Sequence, residues 1–408
     1  MLPPVEGSPQ VLVLRDLAEA RAALGHIRVS GAGIGIMEKK ALFRVVRVRG
    51  LDVRAANILK QEMLSRGGEV ATSREVYELQ GGPADCLVMG TLTQFERLLP
   101  KLKQQPFGLR RLAGAIETAL RNYDERVPAG PPGLDLADAP LLMGVLNVTP
   151  DSFSDGGNYS SAGHAVRAAL TMAQEGAALI DIGGESTRPD SDPLPEEEET
   201  TRVLPVVEAL ASALPGRISV DTYKARVAAK VLAAGAYMIN DISALRMDPE
   251  MVAVVRDADC PVILMHMLGE PKTMQVAPTY GDVVEDVYAF FAERLEWAVA
   301  NGLKEQNLLI DPGLGFGKTT EHNLAILRRL EAFRSLGRPI VVGASRKRFL
   351  GEILGIDKAS ERDDATAATT AMAVCSGAHV VRVHRVAVNR DAARVARAIL
   401  GKGSPHER

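Results

Sequence analysis

The chain has 408 residues, 46% hydrophobic and 24% charged, with a formal net charge of −3. This length implies two domains or one barrel with an appendage, and the composition excludes a disordered chain. The slight negative charge argues against nonspecific nucleic-acid binding, though not against local basic pockets. The opening MLPPVEGSPQ lacks the basic-then-apolar pattern of a signal peptide, and no apolar run is long enough to span a membrane. Cys86, Cys260 and Cys375 are far apart, lack metal-ligand spacing, and read as reduced core residues. A soluble cytoplasmic protein without a membrane or nucleic-acid partner is therefore expected.

Residues 1–126 read as a small α/β domain of unknown role. Strands are expected at 11–14, 42–48, 69–72 and 86–89. Asp52 caps a helix through Arg66, ended by Gly67-Gly68, and Thr91 caps a second, LTQFERLLPKLKQ, which Pro100 threatens to break. A third runs over 109–123. Arg44, Arg47, Arg49, Lys101 and Lys103 read as solvated faces. Residues 127–140, VPAGPPGLDLADAP, read as a semi-rigid linker.

From residue 141 the rhythm becomes regular strand–helix alternation. Strands are expected at 142–148, 179–182, 218–220, 238–242, 262–265, 307–310, 340–343 and 380–384. Helices are expected at 162–174, 196–213, 224–233, 249–257, 283–300, 323–333, 363–376 and 387–400. Eight such units over 141–408 fit an α/β architecture of the (β/α)8 TIM-barrel kind. An open doubly wound sheet is the alternative, but no GxGxxG follows the first strand.

In such a barrel the strand ends and the loops after them form the active face. All eight ends carry polar groups: Asn147; Glu185, Thr187 and Arg188 in GGESTRP; Asp221; Asn240; Met265-His266; Asp311; Ser345 to Lys347 in SRK; and Arg382 with His384. Asp221, Asn240, Asp311 and Lys347 combine donors and acceptors suited to a flat amino- and oxo-bearing heterocycle, with Met265 as a soft face. Arg188, Arg382 and His384, with Asn147 and Thr187, make a cradle for phosphate or pyrophosphate, with a Mg²⁺-like cation balancing charge. GLGFGKT at 313–319 is not a P-loop, because Pro312 stands where glycine is required. His266 and His322 lack a second zinc ligand and read as structural. Ser345 has no histidine partner nearby in sequence, so a serine nucleophile is not expected. The run Glu196–Glu199 reads as a first helical turn favoured by the dipole.

The motifs NVTPDSFSDGG, GGESTRP, SVDTYKA, INDIS, MHMLGEPKTMQ, DPGLGFGKT, SRK and RVH, in this order, resemble the bacterial dihydropteroate synthase family. The resemblance implies a TIM barrel, usually a homodimer, that joins 6-hydroxymethyl-7,8-dihydropterin diphosphate to para-aminobenzoate and releases pyrophosphate. The resemblance also implies a sulfonamide target. By motif position, Asp221, Asn240, Met265, Asp311 and Lys347 would bind pterin. Asn147, Thr187, Arg188, Arg382 and His384 would bind diphosphate, with Asn147 also on Mg²⁺. Phe153, Thr187, Pro189, Phe316, Ser345 and Lys347 would face para-aminobenzoate, and Asp155 would lie on the first loop as a catalytic carboxylate, with Asp311, Lys347, Arg382 and His384 as the other catalytic groups. The alternatives are a related barrel that transfers a methyl group from methyltetrahydrofolate, or a non-catalytic pterin-binding paralogue. Two features depart from the family pattern: Arg385 follows the final His where Asp is usual, and the 1–126 domain is absent from shorter members.

Overall fold

The structure is a computed structural model, and it describes residues 7–78, 82–125, 128–137, 139–148, 158–185, 193–270 and 274–401. The chain divides into two compact units, Met1–Asp124 and Glu125–Arg408.

In the first unit, strands β1 (Phe43–Leu51), β2 (Glu69–Thr72) and β3 (Ala84–Thr91) form an antiparallel sheet in the order β1-β3-β2. Helices Val53–Leu64, Leu92–Leu102 and Leu109–Asp124 supply Leu59, Met63, Phe95, Leu98, Leu109 and Ile116, which pack with Val70 and Val88. Asp52 caps its helix by accepting from the Arg54 amide, and Thr91 forms a capping box with Gln94. Pro100 does not break its helix. It lies in the last turn, where the helix is about to end anyway. Residues 11–14 form no strand; Val11 and Val13 are exposed and find no partner strand. Two short helices, Leu17–His26 and Gly31–Met37, follow them instead. Arg44 is not a solvated face: it pairs with Asp124 at 2.7 Å and lies over the Tyr123 ring.

The second unit holds β4 (Leu141–Asn147), β5 (Leu179–Gly183), β6 (Ile218–Asp221), β7 (Met238–Asp241), β8 (Val262–Met265), β9 (Leu308–Asp311), β10 (Val341–Val342) and β11 (Val380–Val383). They form one parallel ladder, β10-β11-β4-β5-β6-β7-β8-β9, and the Ile310–Ile340 bridge joins its two ends. The sheet is thus a near-closed (β/α)8 barrel, not an open doubly wound sheet. Side-chain alternation sorts its residues. Met143, Leu179, Met238, Ile263, Leu309, Val341 and Val380 fill the barrel floor. Ile180, Ile182, Val220, Ile239, Leu264 and Ile310 belong to the larger core under the helices. Leu134 packs on the floor cluster, and the Tyr237 hydroxyl donates to the Pro132 carbonyl at 2.7 Å.

Most helices stand within a few residues of expectation. The 323–333 helix is instead Thr320–Arg328 followed by a 3₁₀ segment, Leu330–Leu336. A short helix, Arg348–Leu354, stopped by left-handed Gly355, was not expected. Cys86 and Cys260 are buried as expected, but Cys375 is exposed. Among the described residues no helix is long and apolar enough to cross a membrane.

Candidate active site

Above the apolar floor, the inward positions of the strands turn polar. Asp181 of β5 is fully buried, and three neighbours converge on it. Its Oδ1 accepts from Ser219 Oγ at 2.7 Å; its Oδ2 accepts from Asn240 Nδ2 at 3.0 Å and from Arg382 Nε at 2.6 Å. Arg382 also donates to Asp221 Oδ2 at 2.9 Å. The ladder register, with Asp181 beside Ser219 and Asp221 beside Asn240, fixes this arrangement. The Arg382 guanidinium, expected to face an anion, is therefore already paired on two of its nitrogens. Burial works against its charge, but Asp181 and Asp221 outweigh it and hold the guanidinium above its ordinary range. Burial pushes Asp221 up to about 7, with Arg382 opposing and Asp181 reinforcing the rise.

Across the barrel, Asp311 at the end of β9 accepts from the Gly313 amide at 2.7 Å, and burial raises its carboxyl against the pull of Lys347. Lys347 donates to the Leu314 carbonyl and sits 4.4 Å from the Phe316 ring centroid. Burial pulls its ammonium down to about 8, with Asp311 opposing. Gly343 leaves the space between these groups open: a Cβ there would lie 3.8 Å from Asp311 Oδ2 and 3.9 Å from Arg382. Met265, Met267, Met274 and Ile242 build an apolar wall against which Phe316 and Tyr223 pack.

The glycines of DPGLGFGK serve loop packing. Gly313 has φ of 65°, and a Cβ there would stand 2.0 Å from the His266 carbonyl oxygen. Buried Lys318 ties the same two loops together, donating to His266 Nδ1 at 2.9 Å and the Phe316 carbonyl at 3.0 Å. Burial, aided by Lys318 and Arg246, pushes His266 down to about 2, so its ring stays neutral. His322 caps its own helix with Thr319. Both histidines are structural.

Asn147 is exposed at the end of β4, beside Gly183, and among the described residues no group pairs with its amide. Ser345 does have a histidine, from β11's far end: its Oγ lies 2.8 Å from His384 Nδ1 and accepts the His384 amide at 3.2 Å. Arg385 turns to the rim, 3.9 Å from Asp363, whose carboxylate already takes two bonds from Arg346 at 2.7 and 2.9 Å. Phe153, Asp155, Thr187, Arg188 and Pro189 lie outside the described residues.

Two polar groups escaped the sequence reading. Asp181 is one, although a carboxylate at an inward position of an apolar strand was a visible signal. The second is Lys224, buried and donating to Glu185, to Glu199 at 2.6 Å and to the Leu194 carbonyl at 2.6 Å. It ties the end of β5 to the start of helix Glu196–Ala211. Glu196–Glu199 form the first turn of that helix, as expected, and Glu199 is in addition a buried partner of Lys224. Among the described residues no three His, Cys, Asp or Glu side chains gather as a metal site.

The profile of the pterin binding enzyme family matches residues 143–384. A probable bifunctional folylpolyglutamate synthase/dihydropteroate synthase of Halobacterium salinarum is 41% identical over 384 residues, covering 94% of this chain. The match takes in 46% of that protein, so the chain spans about half the length of such curated relatives. Escherichia coli K12 dihydropteroate synthase is 45% identical over 267 residues, 65% of this chain and 94% of the relative. Among solved structures, Xanthomonas albilineans dihydropteroate synthase in complex with 7,8-dihydropteroate superposes with a TM-score of 0.59. It is 45% identical and covers 65% of this chain and 95% of its own. The chain therefore belongs to the dihydropteroate synthase family of pterin-binding enzymes.

Proposed function

We propose that the chain condenses 6-hydroxymethyl-7,8-dihydropterin diphosphate with para-aminobenzoate, forming 7,8-dihydropteroate and pyrophosphate. The observation that carries this reading is the convergence of Asp221, Asn240, Asp311, Lys347 and Arg382 at one mouth of the barrel, lined by Met265. Carboxylates and amide hold the amino- and oxo-bearing edges of a pterin, and the methionines take its face. The reaction is a substitution at the pterin methylene carbon. The C–O bond breaks with its electron pair going to the diphosphate, a C–N bond forms to the aryl amine, and the amine loses a proton. The cation that develops on the ring is favoured by the Asp311 carboxylate. Thr187, Arg188 and His384 would hold the departing diphosphate with a nitrogen of Arg382. Ser345 and Phe316 would orient para-aminobenzoate, with Phe153 and Pro189, while Asp155 would support the ring cation.

Asn147 fits a hard cation, because it is exposed at the end of β4 and, among the described residues, no carboxylate cage competes with it. Mg²⁺ held there would neutralise charge on the departing diphosphate. Exposed Met372, Val395 and Ile399, on the two packed helices Asp363–Cys375 and Val386–Ile399, support a homodimer. The unit at 1–126, joined through 127–140 to the catalytic barrel at 141–408, is read as accessory, and a cytoplasmic location goes with this chemistry.

Mass-spectrometric analysis of the full chain supplied with both substrates and Mg²⁺ tests the reading. Dihydropteroate is expected. Methyl transfer from methyltetrahydrofolate, without condensation, would replace it with the methyltransferase alternative.

A further inference from the structure

Asp181 is fully buried, and β6, β7 and β11 all present donors to it. Ser219 takes one of its oxygens, while Asn240 and Arg382 share the other. A carboxylate in that position has only lone pairs to offer, so it dictates how the Asn240 amide is turned. Nδ2 must face Asp181, and Oδ1 must face the cavity. Among the described residues no donor reaches that Oδ1. Asp221, the next inward group, is held by Arg382 through Oδ2, and among the described residues no hydrogen bond takes its Oδ1.

We infer that Asp181 is a positioning residue that sets the ligand specificity of the pocket. By locking Asn240 with its oxygen outward, it fixes one acceptor at a set point of the wall, selecting a heterocycle edge that carries an N–H donor opposite it and disfavouring one that carries an oxygen there. The rejection follows from physics as much as the selection. A ligand carbonyl opposite Asn240 Oδ1 meets a second oxygen in a site with little water, and neither finds a proton. An unlocked asparagine would rotate and accept either edge.

The inference deepens the pterin reading and rests on it, so the test separates the two. Equilibrium binding of a pterin (2-amino-4-oxo) and of its 2-oxo counterpart is measured for the wild-type chain, Asp181→Asn, Asn240→Ala and Ser219→Ala, with circular dichroism confirming the fold of each. The wild-type protein is expected to prefer the 2-amino compound by about tenfold or more, the discrimination of one unpaired buried polar group. Asp181→Asn can both donate and accept, so Asn240 is released and the preference should shrink to about threefold or less. Asn240→Ala removes the oriented oxygen itself and should collapse the preference in the same way. Ser219→Ala leaves the shared oxygen alone and should keep the ratio. A purely structural role for Asp181 would weaken both ligands equally and leave the ratio intact, which would overturn the inference. An unchanged ratio in Asn240→Ala would overturn it too, even where Asp181→Asn does not fold. If the wild-type chain binds neither compound, the pterin reading itself fails.

Discussion

Asp221→Asn is the perturbation whose consequences the structure specifies most fully. The Asp221 carboxylate accepts from Arg382 and faces the cavity, and burial pushes it up to about 7 from an ordinary value of 3.8. Asp181, Glu199 and Asp241 push the same way, and Arg382 opposes them. A pterin donating N–H groups needs the ionised form, so wild-type affinity should climb as pH rises through about 7. Each pH step below that value should cost about tenfold. The asparagine has no titration and gives up a charge-assisted hydrogen bond worth about 1.5–3 kcal/mol, a loss of roughly tenfold to 150-fold at pH 8. Stability should move the other way. A carboxyl raised in the folded state stabilises the fold fully below its unfolded value, near 3.8, and that contribution is lost as pH rises through about 7. The unliganded Asn variant should therefore be more stable than wild type at pH 8, by on the order of a few kcal/mol, with no such gain at pH 3. Calorimetric titration of pterin between about pH 5.5 and 8.5, paired with thermal melts, reads both effects. An Asn variant that keeps the pH inflection, or a wild-type profile that is flat through 7, would refute the assignment.

The remaining predictions concern groups around this one. Lys347→Met removes the bond to the Leu314 carbonyl and the cation over Phe316, and kcat/KM should drop by about 100-fold or more. Because burial pulls Lys347 down to about 8, wild-type activity should fall as pH rises past that value, and the Met variant should lose this limb. Gly313→Ala forces a Cβ to within 2.0 Å of the His266 carbonyl oxygen at a left-handed φ, so the melting temperature should fall sharply. Lys224→Met leaves Glu185 and Glu199 facing each other without a cation, at a cost of about 3–5 kcal/mol. Burial already raises Glu199, so acid should partly restore that variant, and melts at two pH values check this. Deleting residues 1–130 should leave measurable condensation; its complete loss in a folded barrel would end the accessory reading of that unit.

The barrel was legible because its strands are short apolar runs at regular spacing, and parallel strands buried on both faces must look that way. The strand ends were legible for a related reason: polar residues stop apolar runs, and in this fold those stops form one surface. Asp181 was not recognised because the run 179–182 was read as continuous. A count by twos, Leu179, Asp181, Gly183, puts the carboxylate inside the barrel. Its pairing with Arg382, 201 residues away, has no local signature at all. The first-turn reading of Glu196–Glu199 holds, but the dipole treats all four alike; only the spacing shows that position 199, four before Val203, lies on the buried face of the helix. Likewise the histidine for Ser345 sits 39 residues downstream and reaches it only through β10–β11 pairing. In the first unit, VLVL at 11–14 has strand composition but no strand to pair with. The glycine-rich helix Gly31–Met37 forms against its own propensity, held by the Ser30 cap.

Pyrophosphate release by the full chain is the most direct test of the central claim, that the cluster between Asp221 and Lys347 holds the pterin while its diphosphate departs toward Asn147. With pterin diphosphate, para-aminobenzoate and Mg²⁺, release should match dihydropteroate formed one for one. Asn147→Ala should abolish the Mg²⁺ dependence while leaving free pterin binding nearly intact. A folded wild-type chain that binds pterin yet releases no pyrophosphate would contradict the account.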